Sequence, residues 1–453
     1  MNREMIAERL NEMLGSGRHS QLRGALTMLT SVDIALYLSE LDREKMLLVY
    51  RILPKDVAAE VFSYLESDKQ RELIEIIGDA EIHSLLEEMY LDDTIDFLEE
   101  LPAGVVRRVL MNADEQTREL INQFLRYPEN SAGSIMTIEY CEFHTPMTVR
   151  EAFDEIRRTG LDKETIYTLY VIDERRRLQG TVPLRRLILS PAETPVSELM
   201  TPNPVRVRTL DDQEIVAEKV RRYDLMAIPV VDDEDRLVGI VTADDIMDVI
   251  EEENTEDFEK MAAMTPADDT YLKTPVMTLV KNRMPWLLLL MFSAMFTGLI
   301  ITRYEGLLVA SGAIGVALTS CMPMLMGTGG NCGSQASTLT IRGLALGEIQ
   351  PRDVGKLIWK ELRVALIVGV ILAALNILRL VFLNGFTWGV ALSVGIALFL
   401  TVILAKALGC ALPVLAKLVK LDPALMASPI LATIVDALSL VFLFVISSHI
   451  LHI

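Results

Sequence analysis

The apolar run from Ala424 to Ile450, ALMASPILATIVDALSLVFLFVISSHI, carries one charged residue, Asp436, near its middle. About 20 apolar residues in a helix span the ~30 Å hydrocarbon core of a bilayer. A carboxylate at that depth costs about 2.5 to 3.5 kcal/mol, so such groups usually face a bundle interior or a water-filled path. Asp436 therefore indicates an ion or substrate pathway. The alternative is a protonated Asp436 that donates a hydrogen bond to a neighbouring helix.

Charge divides the 453-residue chain into two unlike halves. Residues 275–453 contain 12 Lys or Arg and 6 Asp or Glu, a net charge of +6, whereas residues 1–274 contain 31 and 57, a net charge of −26. So acidic a polar half argues against binding to nucleic acid and leaves plain solubility or cation binding as explanations. The four cysteines show no CxxC spacing and no nearby paired histidines, which favours free thiols over a zinc site or disulfides.

An internal repeat indicates a helical N-terminal domain over residues 1–128. Apolar residues three and four apart predict short helices from Ile34 to about Phe124. Leu53-Pro54 recurs 48 residues later as Leu101-Pro102, and each pair is followed by apolar residues at helical spacing. Such a period predicts stacked helical hairpins that form an α-helical superhelix, or solenoid.

A sharper duplication follows over residues 129–250. Tyr170-Val171-Ile172-Asp173 with Gly180 aligns, 59 residues on, with Pro229-Val230-Val231-Asp232 and Gly239. Each copy reads as a strand, a charged turn, a second strand and a helix, and a Met-Thr pair precedes each copy. The pattern resembles a tandem pair of CBS (α/β) domains, which sense ligands far more often than they catalyse reactions. No nucleophile and base are paired in it, so we do not predict an enzyme.

An acidic connector and five apolar segments complete the chain. The connector, predicted to be helical over residues 251–280, contains Glu251–Glu253, Glu256-Asp257, Glu259 and Asp268-Asp269. The membrane domain over residues 281–453 is predicted to be all α-helical with five transmembrane helices. The predicted spans are approximately Pro285–Ile301, Leu307–Met326, Val364–Leu383, Gly389–Leu412 and Ala424–Ile450.

The basic residues of short loops predict the orientation in the membrane. Lys and Arg cluster before the first span, between the second and third, and between the fourth and fifth, whereas the opposite side has only Arg303. Such loops stay in the cytoplasm. Charged residues also stand in Met1–Leu10 where a signal peptide would be apolar. We expect a multi-pass protein of the cell (inner) membrane with a cytoplasmic N-terminus and an extracytoplasmic C-terminus.

The second span runs into a glycine-rich stretch, Gly327–Gln335, with the sequence GTGGNCGSQ. Irregular backbone at membrane depth is tolerated where it lines a cavity, and its carbonyls can bind cations. We therefore expect a broken span in which Gly330, Asn331 and Gln335 line the pore. The alternative is a helix-packing surface of small residues. Asn376 in the third span is a further pore-lining candidate, with an interhelical hydrogen bond as its alternative.

Two cations in the spans are predicted to have no role in transport. Arg379 and Lys406 have long side chains that can extend to the membrane surface.

The chemistry of these groups favours a hard cation. One carboxylate, amide oxygens and backbone carbonyls select Mg²⁺, Ca²⁺ or Mn²⁺ over zinc or copper. Mg²⁺ is usually held by one or two carboxylates with several waters retained. One Asp436 per chain fits poorly, but two copies facing each other across a twofold axis fit well. We therefore infer a homodimer in the lipid bilayer with a shared axial pore.

Taken in order, these features resemble the MgtE family of magnesium transporters. The specific motifs are Gly-Gly-Asn-x-Gly-x-Gln at Gly329–Gln335, and Asp-Pro-Ala at Asp422–Ala424 followed by Asp436. The resemblance implies a homodimeric, Mg²⁺-selective channel for Mg²⁺ uptake, in which the connector acts as a plug helix and cytosolic Mg²⁺ closes the pore.

The resemblance also implies which residues bind the ions. It implies that Asp436 binds Mg²⁺ in the pore. The implied regulatory Mg²⁺ ligands are Asp92 and Asp96 in the N-terminal domain, Asp212, Glu214, Asp224 and Asp245 in the second CBS domain, and Glu253, Glu256 and Asp257 on the connector. Some members of that family bind ATP in the CBS cleft, so ATP is a further candidate ligand.

Two other functions stay open at this point. One is a CBS-regulated secondary divalent-cation transporter or exchanger, in which Asp436 carries H⁺ or Na⁺. The other is a membrane-anchored nucleotide sensor with no transport role.

Overall fold

The computed structural model describes residues 3–99, 101–266, 271–272, 274–426 and 428–452. The chain forms two compact units, residues 1–250 and residues 251–453, and each is described by itself.

Ten short helices open the first unit within the described residues. They are α1 Arg3–Gly15, α2 His19–Leu26, α3 Ser31–Ser39, α4 Arg43–Ile52, α5 Lys55–Ser63, α6 Ser67–Ile76, α7 Asp79–Glu88, α8 Leu91–Glu99, α9 Ala103–Asn112 and α10 Glu115–Phe124. Helices two apart in sequence pack on each other: α3 on α5, α5 on α7, α7 on α9, α4 on α6 and α8 on α10. This stacking confirms the predicted superhelix.

Caps at the helix starts explain the repeat in the sequence. Pro54 and Pro102 occupy the same place, at the N-cap of α5 and of α9. A proline at a helix start costs little because its missing N–H has no partner inside the helix. Asp42 and Asp114 cap α4 and α10 by accepting hydrogen bonds from backbone N–H groups two residues inside each helix. Each short helix is therefore bounded by its own sequence.

Two small mixed sheets follow, with the same local pairing. The elements of the first copy are β1 Tyr140–His144, α11 Val149–Thr159, β2 Thr165–Ile172, β3 Leu178–Pro183, α12 Leu184–Ile188, α13 Val196–Leu199 and β4 Thr201–Pro202. Those of the second are β5 Val207–Arg208, α14 Gln213–Tyr223, β6 Ala227–Val231, β7 Leu237–Thr242 and α15 Ala243–Met261. β1 pairs parallel with β2 as β5 does with β6, and β2–β3 and β6–β7 are antiparallel. The predicted duplication is confirmed.

The glycine and the Met-Thr pair of the two copies fit together reciprocally. A Cβ at Gly239 would lie 2.6 Å from Met136 Sδ, and one at Gly180 would lie 2.8 Å from Met200 Sδ. Thr137 and Ile240 exchange backbone hydrogen bonds of 2.8 and 2.9 Å. Only glycine admits such an approach. The glycine and the Met-Thr pair of each copy therefore form the contact between the two copies.

The predicted connecting helix over residues 251–280 is wrong in its extent. α15 begins inside the second CBS copy and ends at Met261, and Ala263 then takes a left-handed backbone with φ of 55°. The next helix begins after Pro275, whose ring favours a helix start. Asp268 and Asp269 lie outside the described residues. The acidic connector is therefore the second half of a longer helix.

Five long apolar helices in the described residues confirm the predicted spans. They are α16 Val276–Ala310, α17 Ala313–Ala345, α18 Val354–Phe382, α19 Trp388–Leu418 and α20 Ser428–Leu451. A short 3₁₀ turn, Pro423–Met426, precedes α20. α19 is central and packs on α17, α18 and α20, whereas α16 packs mainly on α20.

The predicted break in the second span is wrong, because α17 continues as a helix through Gly327–Gln335. A Cβ at Gly329 would lie 2.6 Å from Thr401 Cγ2 of α19 and 2.8 Å from Val435 Cγ1 of α20. A Cβ at Gly333 would lie 3.1 Å from Leu431 Cδ2 of α20. The glycines therefore bring three helices close together, as small residues do in membrane proteins.

We expect Gly329→Val to destabilise the membrane unit by about 1 to 3 kcal/mol, the usual cost of overpacking. Gly327→Val is the matched control, because it makes the same change on the same helix where nothing lies within 4 Å. Thermal unfolding in detergent micelles measures both. Equal stability of the two variants would contradict the packing role of Gly329.

The prediction for Lys406 is also wrong. Its side chain is 6% exposed and its Nζ lies 3.2 Å from Glu361 Oε2, so it does not extend to the membrane surface. Arg379, by contrast, is exposed near the end of α18.

Candidate functional site

Asp436 lies in the third turn of α20 and is only partly buried. Ser439 Oγ donates a hydrogen bond of 2.8 Å to the backbone carbonyl of Asp436. In the described part of the chain, no side chain donates to the Asp436 carboxylate. A carboxylate without a partner at membrane depth is costly, so this side chain needs water, an ion or a second protein surface.

The segment of α17 that packs on α20 also carries two amides. A Cβ at Gly330 would lie 3.6 Å from Ala432 Cβ, one helical turn before Asp436 on α20. Asn331 and Gln335 are four residues apart and both are exposed on the single chain, whereas Gly330 is buried. The residues of α17 that approach α20 are therefore glycines, and the two amides lie on an exposed side of the same segment.

Asn376 does not join this face. Asn376 is 7% exposed within the bundle, and its Nδ2 has no hydrogen-bond partner among the described residues. The interhelical hydrogen bond that was its alternative is therefore not formed by this nitrogen. The structure places Asn376 in the interior of α16–α20, away from solvent, which does not favour pore lining.

The arrangement can attract a hydrated cation but cannot enclose it alone. Among the described residues, no three carboxylate, imidazole or thiol groups converge closely enough to hold a metal ion. One carboxylate and two amides supply only oxygen acceptors, which suit Mg²⁺ with its waters retained.

A partly buried acidic cluster lies in the first unit, where the starts of α8 and α15 approach each other. We define it by its six carboxylates: Asp92, Asp93, Glu139, Glu164, Asp244 and Asp245. Asp92 is 8% exposed and accepts a hydrogen bond from Asp93 N–H. Asp245 accepts a hydrogen bond of 2.5 Å from Thr242 Oγ1. Glu164 Oε2 is buried without a hydrogen-bond partner.

The cluster is short of positive charge. Burial first, and then neighbouring carboxylates, raise the pKa of Asp93 to about 6 and that of Glu164 to about 7. The same causes raise the pKa of Asp92 well above its ordinary range, and burial raises the pKa of Asp245. The positive ends of α8 and α15 offset part of the repulsion. A divalent cation would offset more of it.

The structure unites only two of the predicted regulatory residues of the first unit, Asp92 and Asp245. Asp96 is exposed one turn later on α8. Asp212 and Glu214 are exposed at the start of α14, and Asp224 is exposed at its end. The other four members of the cluster were not predicted from the sequence: Asp93, Glu139, Glu164 and Asp244. Glu164 stood directly before a β-branched strand, which was the only sequence signal for it.

A second group of charges lies in the second unit, at the end of α15. Lys260 Nζ lies 2.6 Å from Glu256 Oε1 and 2.7 Å from Asp422 Oδ2. Burial, followed by the Asp422 carboxylate, raises the pKa of Asp257 to about 6. Glu253 is a further acidic neighbour. Three predicted residues are thus together, and Asp422 and Lys260 were missed, although Asp422 belongs to the Asp-Pro-Ala motif.

The acidic cluster of the first unit predicts a pH dependence of stability. Its pKa values are raised on folding, so between about pH 4.5 and 7 the folded state holds protons that the unfolded state has released. Stability of the metal-free protein therefore falls as pH rises through this interval. Hydrogen exchange over residues 91–99 of the full chain, with a chelator present, should be faster near about pH 8 than near about pH 5.5 after correction for intrinsic rates. Slower corrected exchange at the higher pH would contradict the assignment.

Sequence profiles of known families match most of this architecture. A profile described as the divalent cation transporter MgtE matches residues 322–446, one for the MgtE intracellular N domain matches residues 29–130, and one for the CBS domain matches residues 196–252. These matches confirm the predicted fold class.

Individual relatives match nearly the whole chain. The magnesium transporter MgtE of Thermus thermophilus is 38% identical over 441 residues, 96% of each chain. The magnesium transporter MgtE of Bacillus subtilis is 31% identical over 453 residues, 100% of this chain and 99% of that one. A crystal structure of the cytosolic domain of the Mg²⁺ channel MgtE in complex with ATP is 41% identical, with a TM-score of 0.51, over 54% of this chain and 99% of that chain. At this identity and coverage, the chain belongs to the MgtE family, whose members are membrane transporters and not enzymes.

Proposed function

We propose that this protein is a Mg²⁺-selective channel for Mg²⁺ uptake, closed by cytosolic Mg²⁺. The observation that carries the proposal is the half-buried Asp436 carboxylate, which has no side-chain partner among the described residues, on a helix that packs against the amide-bearing segment of α17. The relatives that match nearly the whole chain are magnesium transporters, which supports the choice of ion. A carboxylate that leaves the waters of Mg²⁺ in place holds the ion loosely enough for it to pass.

The complete pore requires two copies of the chain. A single chain exposes Asn331 and Gln335 and only partly covers Asp436. A twofold axis beside α17 and α20 would bring two carboxylates and four amides to one path. The orientation that follows from the loop charges keeps residues 1–250 in the cytoplasm of a multi-pass cell-membrane protein.

The acidic cluster provides the feedback. The carboxylates of the cluster repel one another in the absence of metal and favour a looser arrangement. Although no three described groups are close enough to hold a bare ion, a hydrated divalent ion between the carboxylates favours the compact arrangement. A ligand shifts a conformational equilibrium only through its different affinity for the two states, and a site formed only when compact has that difference. The Glu253–Glu256–Asp257 group with Asp422 supplies a second such site at the end of α15. Cytosolic Mg²⁺ then holds α15 in the position that closes the pore.

Flux measurements in proteoliposomes test this proposal, with Mg²⁺ set separately on each face. We expect flux that follows the Mg²⁺ gradient and the voltage without any H⁺ or Na⁺ gradient, and that falls when Mg²⁺ is raised on the cytosolic face. Flux that requires a second ion gradient would identify a coupled exchanger instead. Absence of flux, with ligand binding intact, would identify the protein as a membrane-anchored sensor with no transport role.

ATP is the second proposed ligand, bound by the CBS pair. The support is the relative whose cytosolic domain was solved in complex with ATP. Tighter Mg²⁺-dependent closure in the presence of ATP, measured as a lower half-inhibitory Mg²⁺ concentration, would bear this out. An unchanged Mg²⁺ response together with no ATP-dependent thermal shift would contradict it.

A further inference from the structure

A buried ion pair lies inside the membrane unit, outside the proposed pore. Lys406 Nζ of α19 is 3.2 Å from Glu361 Oε2 of α18, and the two side chains are 6% and 14% exposed. Charged groups at membrane depth are rare and pair with one another where they occur. Nothing in the Mg²⁺ pathway described above uses this pair.

Residues next to Lys406 on α19 contact the glycine-rich segment of α17. The residue before Lys406 is Ala405, whose carbonyl oxygen would lie 3.3 Å from a Cβ at Gly333. Three residues after Lys406, Gly409 approaches the backbone of α17 so closely that a Cβ there would lie 3.0 Å from Ala336 Cβ. Lys406 therefore lies where α19 meets both α17 and α18.

Opposite faces of α17 link this contact to the pore. Cys332 and Gly333 are buried toward α19, whereas Asn331 and Gln335 are exposed on the other side. An unpaired ammonium at Lys406 could reach water only by a rotation or displacement of α19. Such a movement would carry Ala405 and Gly409 with it, and the tight contacts would transmit it to the amides of α17.

We propose that Glu361 and Lys406 are positioning residues for conduction, which hold α19 against α18 and so keep the amide face of α17 aligned with Asp436. The proposal rests on the proposed channel function. The pair fixes geometry and does not touch the ion.

Charge-altering variants test the pair in the full-length protein. Lys406→Met and Glu361→Gln each leave one buried charge unpaired, and Lys406→Glu with Glu361→Lys exchanges the charges. Arg379→Met is the matched control, since it removes an exposed cation from α18. Maximal Mg²⁺ flux per folded, reconstituted protein is measured together with the half-saturating Mg²⁺ concentration.

Each single variant should lose about tenfold or more of its maximal flux, since removing one partner of a buried pair is strongly disruptive. The half-saturating Mg²⁺ concentration should change by less than about threefold, because the substitution lowers the maximal rate of flux and does not alter Mg²⁺ binding at Asp436. The exchanged pair should recover to within about threefold of wild type, as should Arg379→Met. Single variants that conduct like the wild type, or an exchanged pair no better than the single variants, would overturn the proposal.

A double variant covers the case in which a single variant does not fold. Lys406→Met with Glu361→Met leaves no unpaired charge, and buried pairs replaced in this way often keep their stability. It should fold and still conduct about fivefold less than wild type, since flexible methionines specify position poorly. Wild-type flux in this variant would overturn the positioning role. No flux in the wild type itself would overturn the channel function, which distinguishes the two failures.

Discussion

Asp436→Asn is expected to reduce Mg²⁺ flux by about a hundredfold or more, because it removes the carboxylate that attracts the ion in the proposed pore. The asparagine keeps the size and hydrogen-bonding shape of the side chain. In a dimer the substitution removes two charges from one axis, where the local dielectric is low and charge interactions are strong. We expect the dimer to fold normally, since no described side chain pairs with the Asp436 carboxylate.

Flux into proteoliposomes and size-exclusion elution of the same preparation measure the two parts of this result. Glu348→Gln is the matched control, because it removes an exposed carboxylate from the loop between α17 and α18. It should conduct like the wild type. Normal conduction by folded Asp436→Asn would remove Asp436 from the pore.

The second large effect concerns closure. Replacing Asp92, Asp93 and Asp245 by asparagine in one chain should raise the cytosolic Mg²⁺ concentration needed for half-closure by about tenfold or more, since each lost ligand lowers the preference for the compact state. The triple variant should also be more stable than the wild type in the absence of metal, because three mutually repelling groups are gone. Added Mg²⁺ should then stabilise it less than it stabilises the wild type.

A second triple variant, which removes the same number of charges elsewhere, distinguishes the effect of the acidic cluster from the effect of net charge. Three exposed carboxylates of the helical N-terminal domain are removed in this control: Glu44→Gln, Asp56→Asn and Glu115→Gln. This control should close at the wild-type Mg²⁺ concentration, because its residues lie outside the acidic cluster. Equal shifts in both triple variants would mean that overall charge, and not the cluster, sets the response.

Local patterns made much of the fold predictable. Hydropathy identified the five spans, because burial in lipid requires about 20 apolar residues wherever the helix lies. The two repeats were also visible, since Pro54 and Pro102 begin equivalent helices and Gly180 and Gly239 accept equivalent Met side chains. Each of these signals is contained in a short stretch of chain.

Apart from the extent of the connecting helix, the corrections arose from contacts between distant residues. Glycines such as Gly329 and Gly333 can either unwind a helix or let it pack, and the outcome depends on Thr401, Val435 and Leu431, far along the chain. Lys406 appeared able to reach the membrane surface until Glu361, 45 residues earlier, proved to be its partner. The acidic cluster likewise combines α8 with residues from both CBS copies. One sequence without relatives contains no signal for such convergence.

Disulfide trapping tests the central claim that Asp436 from two copies meets on one axis. Asp436→Cys is introduced into a chain whose four native cysteines are replaced by alanine, and the membranes are oxidised. Val445→Cys is the control, because Val445 is 52% exposed and lies half a turn around α20 from Asp436. We predict a covalent dimer from Asp436→Cys and none from Val445→Cys. No dimer from Asp436→Cys, or a dimer from Val445→Cys alone, would contradict the account.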